Sequence, residues 1–330
     1  MSAPSAEVLG PAAGRTGEPR RGGGRSRSTW RSNLSKFDLK FTPYILISPF
    51  YVLFIAFGLF PLGYNLYAAL HFNDLDDQEF GWAGLAQFER ALDDSDFFHT
   101  IRTTFGLFLL SSVPQIITAL CLAAILNRKL RMQTLLRMGV LLPFITPITA
   151  STFVFATVFA KKSGIANWVI SSLGFETIDW RADTWSSWFA IITMVNWRWT
   201  GYWAIIFLAA MQSISKELYE AATIDGAGPW RQFWRLTVPL IRPAIVFAVV
   251  MSSIGGLQLF TEPLLFDLNV ADAGGGADGQ WQTVQMYIFR VAWRNMNLGY
   301  AAALSWILFL IIVVVAATFS LLTNRIGGRK

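Results

Sequence analysis

Six apolar runs, each long enough to cross a membrane, leave this chain few folds to choose from. They lie near Pro43 to Leu70, Ile101 to Leu126, Met138 to Ala160, Trp188 to Met211, Pro243 to Leu265 and Ala301 to Leu322. Crossing a hydrocarbon core takes about 20 apolar residues. Backbone groups find no water there, so each run must close its own hydrogen bonds as a helix. The expected fold is an all-α membrane protein with six transmembrane helices. Composition agrees: of 330 residues, 54% are hydrophobic and only 15% charged, against about 25% charged in a soluble domain.

Lys and Arg set the direction of these helices, because short basic loops stay in the cytoplasm. Basic residues gather in the N-terminal tail, in the loop with Arg128, Lys129, Arg131 and Arg137, between Lys216 and Arg242, and at Arg325, Arg329 and Lys330. The alternate loops are acidic: Asp74, Asp76, Asp77, Glu79, Glu89, Asp93, Asp94 and Asp96 precede the second span, and Glu262 to Arg294 is mildly acidic and Gly-rich. Both termini are therefore expected in the cytoplasm. Residues 1–40, rich in Arg, Gly, Ser and Pro, read as a disordered basic tail that fixes orientation and touches anionic lipid. The first apolar run exceeds a signal-peptide core of about 7 to 15 residues and reads as a retained span. Residues 41–325 then form the transmembrane domain, with a cytoplasmic loop at 212–242 and a short tail at 326–330.

Several chemistries are excluded. The single cysteine, Cys121, forms no internal disulfide, and His71 and His99 are too few for a metal cluster. The net charge of +6 is spread beside the spans and not gathered on one soluble face, which argues against a nucleic-acid partner. No Gly-x4-Gly-Lys-Ser/Thr sequence occurs, and Gly274-Gly275-Gly276 reads as a flexible loop without the Lys of a phosphate-binding loop. The cluster Asp93, Asp94 and Asp96 reads as an outer loop with helix-start character, in preference to the metal-nucleotide site of a membrane glycosyltransferase.

The segment from Gln212 to Arg242 is polar and helix-prone, too long for a tight turn and short of an enzyme domain. Glu217 to Ile224 is a good helix former, and Gly226 with Gly228-Pro229 ends it. Two short helices at an angle are expected. Ala221 and Ala222 allow close approach to a partner's groove, and Glu220 offers a carboxylate to a partner Arg. The competing reading is an interfacial helix anchored by Trp230, Phe233 and Trp234.

The run Glu220, Ala221, Ala222, three residues, Gly226, then Leu236, Val238 and Pro239 strongly resembles the cytoplasmic signature of bacterial ABC importer permeases, the sugar importers above all. The likeness extends from about residue 43 to 325, through Phe57 to Leu62, Leu142-Pro143, Gly164, Asn167, Leu173 and Gly174. It is similar to the maltose-permease F-type half of a heterodimer. Two departures stand out: Ser215, where the family often has Pro before the docking helix, and Gly201, where many members have Pro in the fourth span. The resemblance implies the type I importer fold and docking to ATPase subunits through Glu220, Ala221, Ala222, Asp225, Gly226 and Pro239.

The same resemblance implies two ATPase subunits carrying ATP and Mg, a second homologous permease, an extracytoplasmic sugar-binding protein and a place in the bacterial inner membrane. This chain would hold no cofactor and catalyse nothing itself. In the fourth span, Asn196 to Trp203 is too polar to face lipid. Arg198 in particular must face protein or water, and the aromatic rings offer stacking faces for sugars. The fifth span adds Ser252, Ser253, Gly255, Gly256, Gln258, Phe260 and Glu262. Since related permeases bind substrate near such spans, Trp199, Tyr202, Ser253, Gly256 and Gln258 are the expected pathway residues. The implied substrate is a di- or oligosaccharide, of the cellobiose type as a first choice. The alternatives are an importer permease for a non-sugar solute, a secondary transporter and a glycosyltransferase.

Overall fold

The computed structural model describes residues 27–74, 79–128, 131–267 and 273–327, with side chains for 41–72, 80–128, 131–267 and 273–321. The chain divides into two units, Met1–Leu62 and Gly63–Lys330. In the first, helix α1 (Arg27–Phe54) passes through a π-helical turn at Ile55–Leu59 into the start of α2 (Phe60–Ala69). Residues 27–40 are thus helical backbone, where their composition predicts disorder. Extending an existing helix costs far less than nucleating one, so the apolar run carries its basic leader into helix. The remaining tail expectations, on residues 1–26 and 328–330, lie outside the described residues, as do Asp76, Asp77 and Lys129.

The second unit is mostly helical, and the all-α expectation yields at one point. Strands β1 (His71–Asp74) and β2 (Glu79–Trp82) pair antiparallel, His71 opposite Trp82 and Asp74 opposite Glu79. The helices that follow are α3 (Ala86–Asp93), α4 (Ser95–Leu126), α5 (Gln133–Ile145), α6 (Ile148–Val158), α7 (Ile165–Ser172) and α8 (Thr184–Gln212). Next come α9 (Lys216–Ile224), α10 (Pro229–Gln232), a π-helical turn at Phe233–Thr237, α11 (Val238–Leu240) and α12 (Arg242–Leu257). The chain closes with α13 (Thr261–Phe266), α14 (Val284–Trp293) and α15 (Leu298–Gly327).

Among the described residues, three helices are long and apolar enough to span a membrane, or five if each of two sharply bent pairs is one span. Pro accounts for the first bend. The expected third span is two helices, α5 and α6, at 90°, because Pro147 lacks an N–H and Thr146 before it is held extended. The second bend, 68° between Pro229–Leu240 and Arg242–Leu257, lies where the polar segment enters the fifth span. That span is itself interrupted between α12 and α13, at Gln258 to Phe260.

Helices α4 and α8 make the most extensive contact of the unit. The buried positions of α4, among them Thr100, Thr104, Leu107, Ser111, Gln115, Ala119 and Ala123, recur at three- and four-residue spacing, so they form one stripe. Ala119 and Ala123 are small enough to let Ala204, Phe207 and Leu208 of α8 close against them. Helix α8 runs without a break in its assignment through Gly201. A Cβ on Gly201 would collide with the carbonyl oxygen of Val140 in α5.

Two polar residues tie down the loops before α4 and before α8. Asn167 is buried: its Nδ2 donates to the carbonyls of Lys161 and Ile178 at 2.9 and 2.8 Å, and its Oδ1 accepts from Ile178 N and Trp180 Nε1. Asp94 caps α4, with Oδ1 accepting from Asp96 N at 2.9 Å and Phe97 N at 3.1 Å. Its Oδ2 accepts the hydroxyls of Tyr287 and Tyr300, both at 2.5 Å, which joins the start of α4 to α14 and α15. Arg90 lies 4.3 Å from the centre of the Tyr300 ring. Asp93 and Asp96 are exposed, and among the described residues no cluster could hold a metal.

Burial raises the pKa of the Asp94 carboxyl, but the hydrogen bonds from Tyr287, Tyr300 and the two backbone N–H groups outweigh it and hold the group below the ordinary aspartate range. A group depressed on folding contributes stability above its unfolded pKa and loses it as pH falls through the folded value. Asp94→Asn keeps the cap oxygen but weakens the hold on two tyrosine hydroxyls, and is expected to cost about 1–3 kcal/mol. Thermal melts of wild type and variant in detergent are expected to converge in strong acid, below the ordinary aspartate range, and to separate above it.

Candidate functional site

The Glu220 segment folds as two short helices around a glycine. Helix α9 ends in a Schellman motif: Ala227 N donates to Ala222 O at 2.9 Å and Gly226 N to Thr223 O at 3.0 Å. Gly226 sits at φ +76°, a left-handed conformation that glycine adopts without strain. Gln232 of α10 braces the turn, donating from Nε2 to Ala227 O at 2.8 Å and Thr223 Oγ1 at 3.0 Å. Tyr219 and Thr237 bond through their hydroxyls at 2.9 Å, tying α9 to the π-helical turn before Pro239. Ser215 is extended at the start of α9 and makes no side-chain cap.

This bracing leaves a surface that the other described residues do not cover. Glu220, Ala221, Asp225, Gly226 and Pro239 are exposed, and Ala222 is half-buried. Ile224, 87% exposed, and Trp230, 74% exposed, add apolar area beside them. Among the described residues Glu220 forms no salt bridge. A rigid turn with an apolar tip and a free carboxylate suits a partner's groove.

The second candidate site is a cavity of about 210 Å³ between α4, α8 and the α12–α13 break. Three of the five expected pathway residues, Trp199, Gly256 and Gln258, lie on its wall, with Trp203, Gln115 and Ser252. Gly256 lets α12 close on α4, since a Cβ there would stand 2.7 Å from Phe108 Cδ2. Tyr202 and Ser253 are placed elsewhere. Tyr202 stacks on Phe144, ring centres 4.6 Å apart, and Ser253 is buried with its Oγ donating to Val249 O at 2.7 Å. One helical position separates each from a lining neighbour, Trp203 and Ser252.

Sequence reading passed over Ser111, Ser112 and Gln115, which α4 brings to the same wall. The signal was present: an amide in an apolar span needs a partner, the argument already applied to Gln258. An adjacent face of α8 borders an open groove of about 900 Å³ with Trp188, Trp197, Asn196 and Thr200. Arg198 points to neither space. Its Nη1 donates to Thr146 O at 2.6 Å, so the half-buried guanidinium satisfies the carbonyl released at the α5–α6 bend.

Loop 273–282 is better ordered than its glycines predict. Gly275, Gly276 and Gly279 have positive φ, but Gln282 Nε2 donates to Ala273 O at 2.8 Å and Trp188 Nε1 to Gln280 O at 2.7 Å. Trp281 is fully buried beneath it. The expected flexible loop is a cross-bonded turn, because its glutamines and tryptophan supply partners that a count of glycines does not register.

Residues 115–328 match a family described as binding-protein-dependent transport system inner membrane component. The arabinooligosaccharides transport system permease protein AraP of Halalkalibacterium halodurans is 31% identical over 287 residues, covering 86% of this chain and 88% of that protein. The lactose transport system permease protein LacF of Rhizobium radiobacter is 33% identical over 294 residues, covering 88% and 96%. In fold, the chain resembles a chain of a bacterial ABC transporter that imports the acidic polysaccharide alginate, with a TM-score of 0.76 at 21% identity over 89% of this chain and 99% of that one.

Proposed function

This chain belongs to the family of binding-protein-dependent transport system inner membrane components, and from that premise we propose that it is the permease of an ATP-driven importer for a di- or oligosaccharide. The observation that carries the reading is the exposed, glycine-terminated turn around Glu220, braced from within and left uncovered by the other described residues. Two ATPase subunits, holding ATP and Mg, would dock beneath this turn and its equivalent on a second, homologous permease. Their closure would drive the docking turns together and reorient the cavity, a rigid-body form of alternating access.

Six crossings of a bacterial inner membrane fit the chain: the long apolar spans near its ends, α4, α8, the bent α5–α6 pair and α12 with α13. That count puts both termini and the Glu220 turn on one side, and the basic residues of these segments favour the cytoplasm. The saccharide reading draws on the names of the arabinooligosaccharide and lactose relatives and on the cavity. Trp199 and Trp203 offer stacking faces, and Gln115, Gln258 and Ser252 offer partners for hydroxyls. At 210 Å³ the cavity suits one sugar unit at a time. An extracytoplasmic binding protein would deliver the saccharide from the acidic side.

The test is ATP hydrolysis by the complex purified through this chain, with and without a sugar panel and the binding protein. One saccharide class is expected to stimulate hydrolysis. A folded chain that brings down no ATPase, and hydrolyses nothing, overturns the reading.

A further inference from the structure

Helix α7, in the loop between α6 and α8, is apolar on the side turned to the protein and on the side turned away from it. Ala166 and Ile170 pack against the core that holds Phe159 and Trp180, and the buried Asn167 bonds this side to Ile178 and Trp180. A helix on a watery surface carries polar and charged residues on its other side. Here that side carries Ile165, Trp168, Val169 and Leu173, one stripe at three- and four-residue spacing, each between 44% and 69% exposed. Ser171 and Ser172 donate to Trp168 O at 3.0 and 2.7 Å, so their hydroxyls are satisfied within the helix. A Schellman motif, Gly174 N to Ser171 O and Phe175 N to Ile170 O, ends α7 and sets the exposed Phe175 directly after the stripe.

Trp180 fixes the height of α7 along the spans. Its ring lies 4.9 Å from that of Phe159, just past α6, and 6.0 Å from that of Phe189 in the second turn of α8. Phe189 and Trp185 of α8 and Val154 of α6 are themselves exposed, so the apolar surface of the two spans continues into the stripe. Two cations stand just before α7. Lys161 pairs with Asp179 at 2.8 Å, whereas Lys162 is exposed and forms no salt bridge among the described residues.

We infer that α7 is an interfacial anchor, lying in the lipid surface beside α6 and α8 with Ile165, Trp168, Val169 and Leu173 against the acyl chains and Lys162 at the headgroup phosphates. An apolar stripe with a Trp and a flanking cation is what such a surface holds. Lipid also fits the size of the stripe: with Phe175 it supplies five side chains, against about 20–30 residues a side in a stable protein interface. The inference holds for either side of the membrane and for any solute, so it stands or falls apart from the import reading.

The test uses the purified complex in nanodiscs of phosphatidylethanolamine and phosphatidylglycerol, with the native cysteine removed as Cys121→Ala. Single cysteines introduced as Trp168→Cys, Val169→Cys and Leu173→Cys are spin-labelled, with Ile165→Cys in place of any that does not accumulate. Collision with oxygen, which partitions into lipid, is compared with collision with a water-soluble nickel chelate. Asp93→Cys, at an exposed position at the end of α3, is the reference for water. The oxygen-to-nickel ratio at the α7 sites is expected to exceed that of the reference by about threefold or more. A ratio equal to the reference places the stripe in water and overturns the inference. Low collision with both reagents marks cover by protein and overturns it as well.

Discussion

Gly201→Ala is expected to leave little folded protein in the membrane. The α8 backbone at this position approaches α5 so closely that a methyl group would fall within the carbonyl oxygen of Val140. A clash with backbone is not relieved by turning a side chain, so two helices must separate. The neighbourhood resists that: α8 is packed on its other side against α4, and Arg198, three residues earlier, is bonded across to Thr146 at the end of α5. Overpacking of this kind costs about 1–3 kcal/mol or more, and the backbone obstacle puts this site at the upper end.

The control is Gly139→Ala. It lies one residue from the point of contact, in α5, where a Cβ meets nothing within 4 Å. There the substitution is expected to be neutral or to stabilise by about 0.5–1 kcal/mol, since alanine favours helix over glycine. Detergent-extracted fluorescent fusions, run by size exclusion and melted, compare the two directly. Equal behaviour of both variants would mean that the α5–α8 approach is not as close as described.

Glu220→Ala is expected to have the opposite character, a large loss of function with no loss of fold. Glu220 is exposed and forms no salt bridge among the described residues, and alanine is a better helix former in α9. Membrane abundance and melting temperature are therefore expected to match wild type. Uptake is expected to fall by about tenfold or more, because removing one member of a buried charge pair at an interface costs about 2–5 kcal/mol, while ATP hydrolysis by the assembled complex persists. Parallel measurement of uptake and hydrolysis checks this. Normal uptake at normal abundance would remove Glu220 from the coupling surface and leave the exposed Ile224 and Trp230 as its remaining anchors.

These variants separate two designs in one chain. The transmembrane helices are joined by close backbone approach and by polar side chains spent on bends, as with Arg198 at Thr146. The Glu220 turn is braced through Gln232, Tyr219 and the glycine at φ +76°.

The apolar runs, the pair of short helices around Glu220 and the glycine that ends the first of them were legible in the residues themselves. Hydrophobic length, helix propensity and the left-handed preference of glycine act within one stretch of chain. Asn196 to Trp203 was likewise recognisably too polar for lipid. What the sequence left open is which side of each helix looks where. Along α8, Trp199 and Trp203 face one space and Asn196 and Thr200 another, and Arg198 faces neither. Tyr202 and Ser253 missed the cavity by a single position, about 100° of rotation on a helix with 3.6 residues per turn.

Tertiary structure alone decided those rotations, because they are set by the α4 stripe and by the Gly201 contact with α5. It also decided that the third span bends by 90°, that Asp94 joins α4 to α14 and α15, and that Ser111 and Gln115 share a wall with Gln258 and Glu262. Each depends on groups far apart in the chain meeting at hydrogen-bond or van der Waals distance, and periodicity within one helix carries no information about its neighbour.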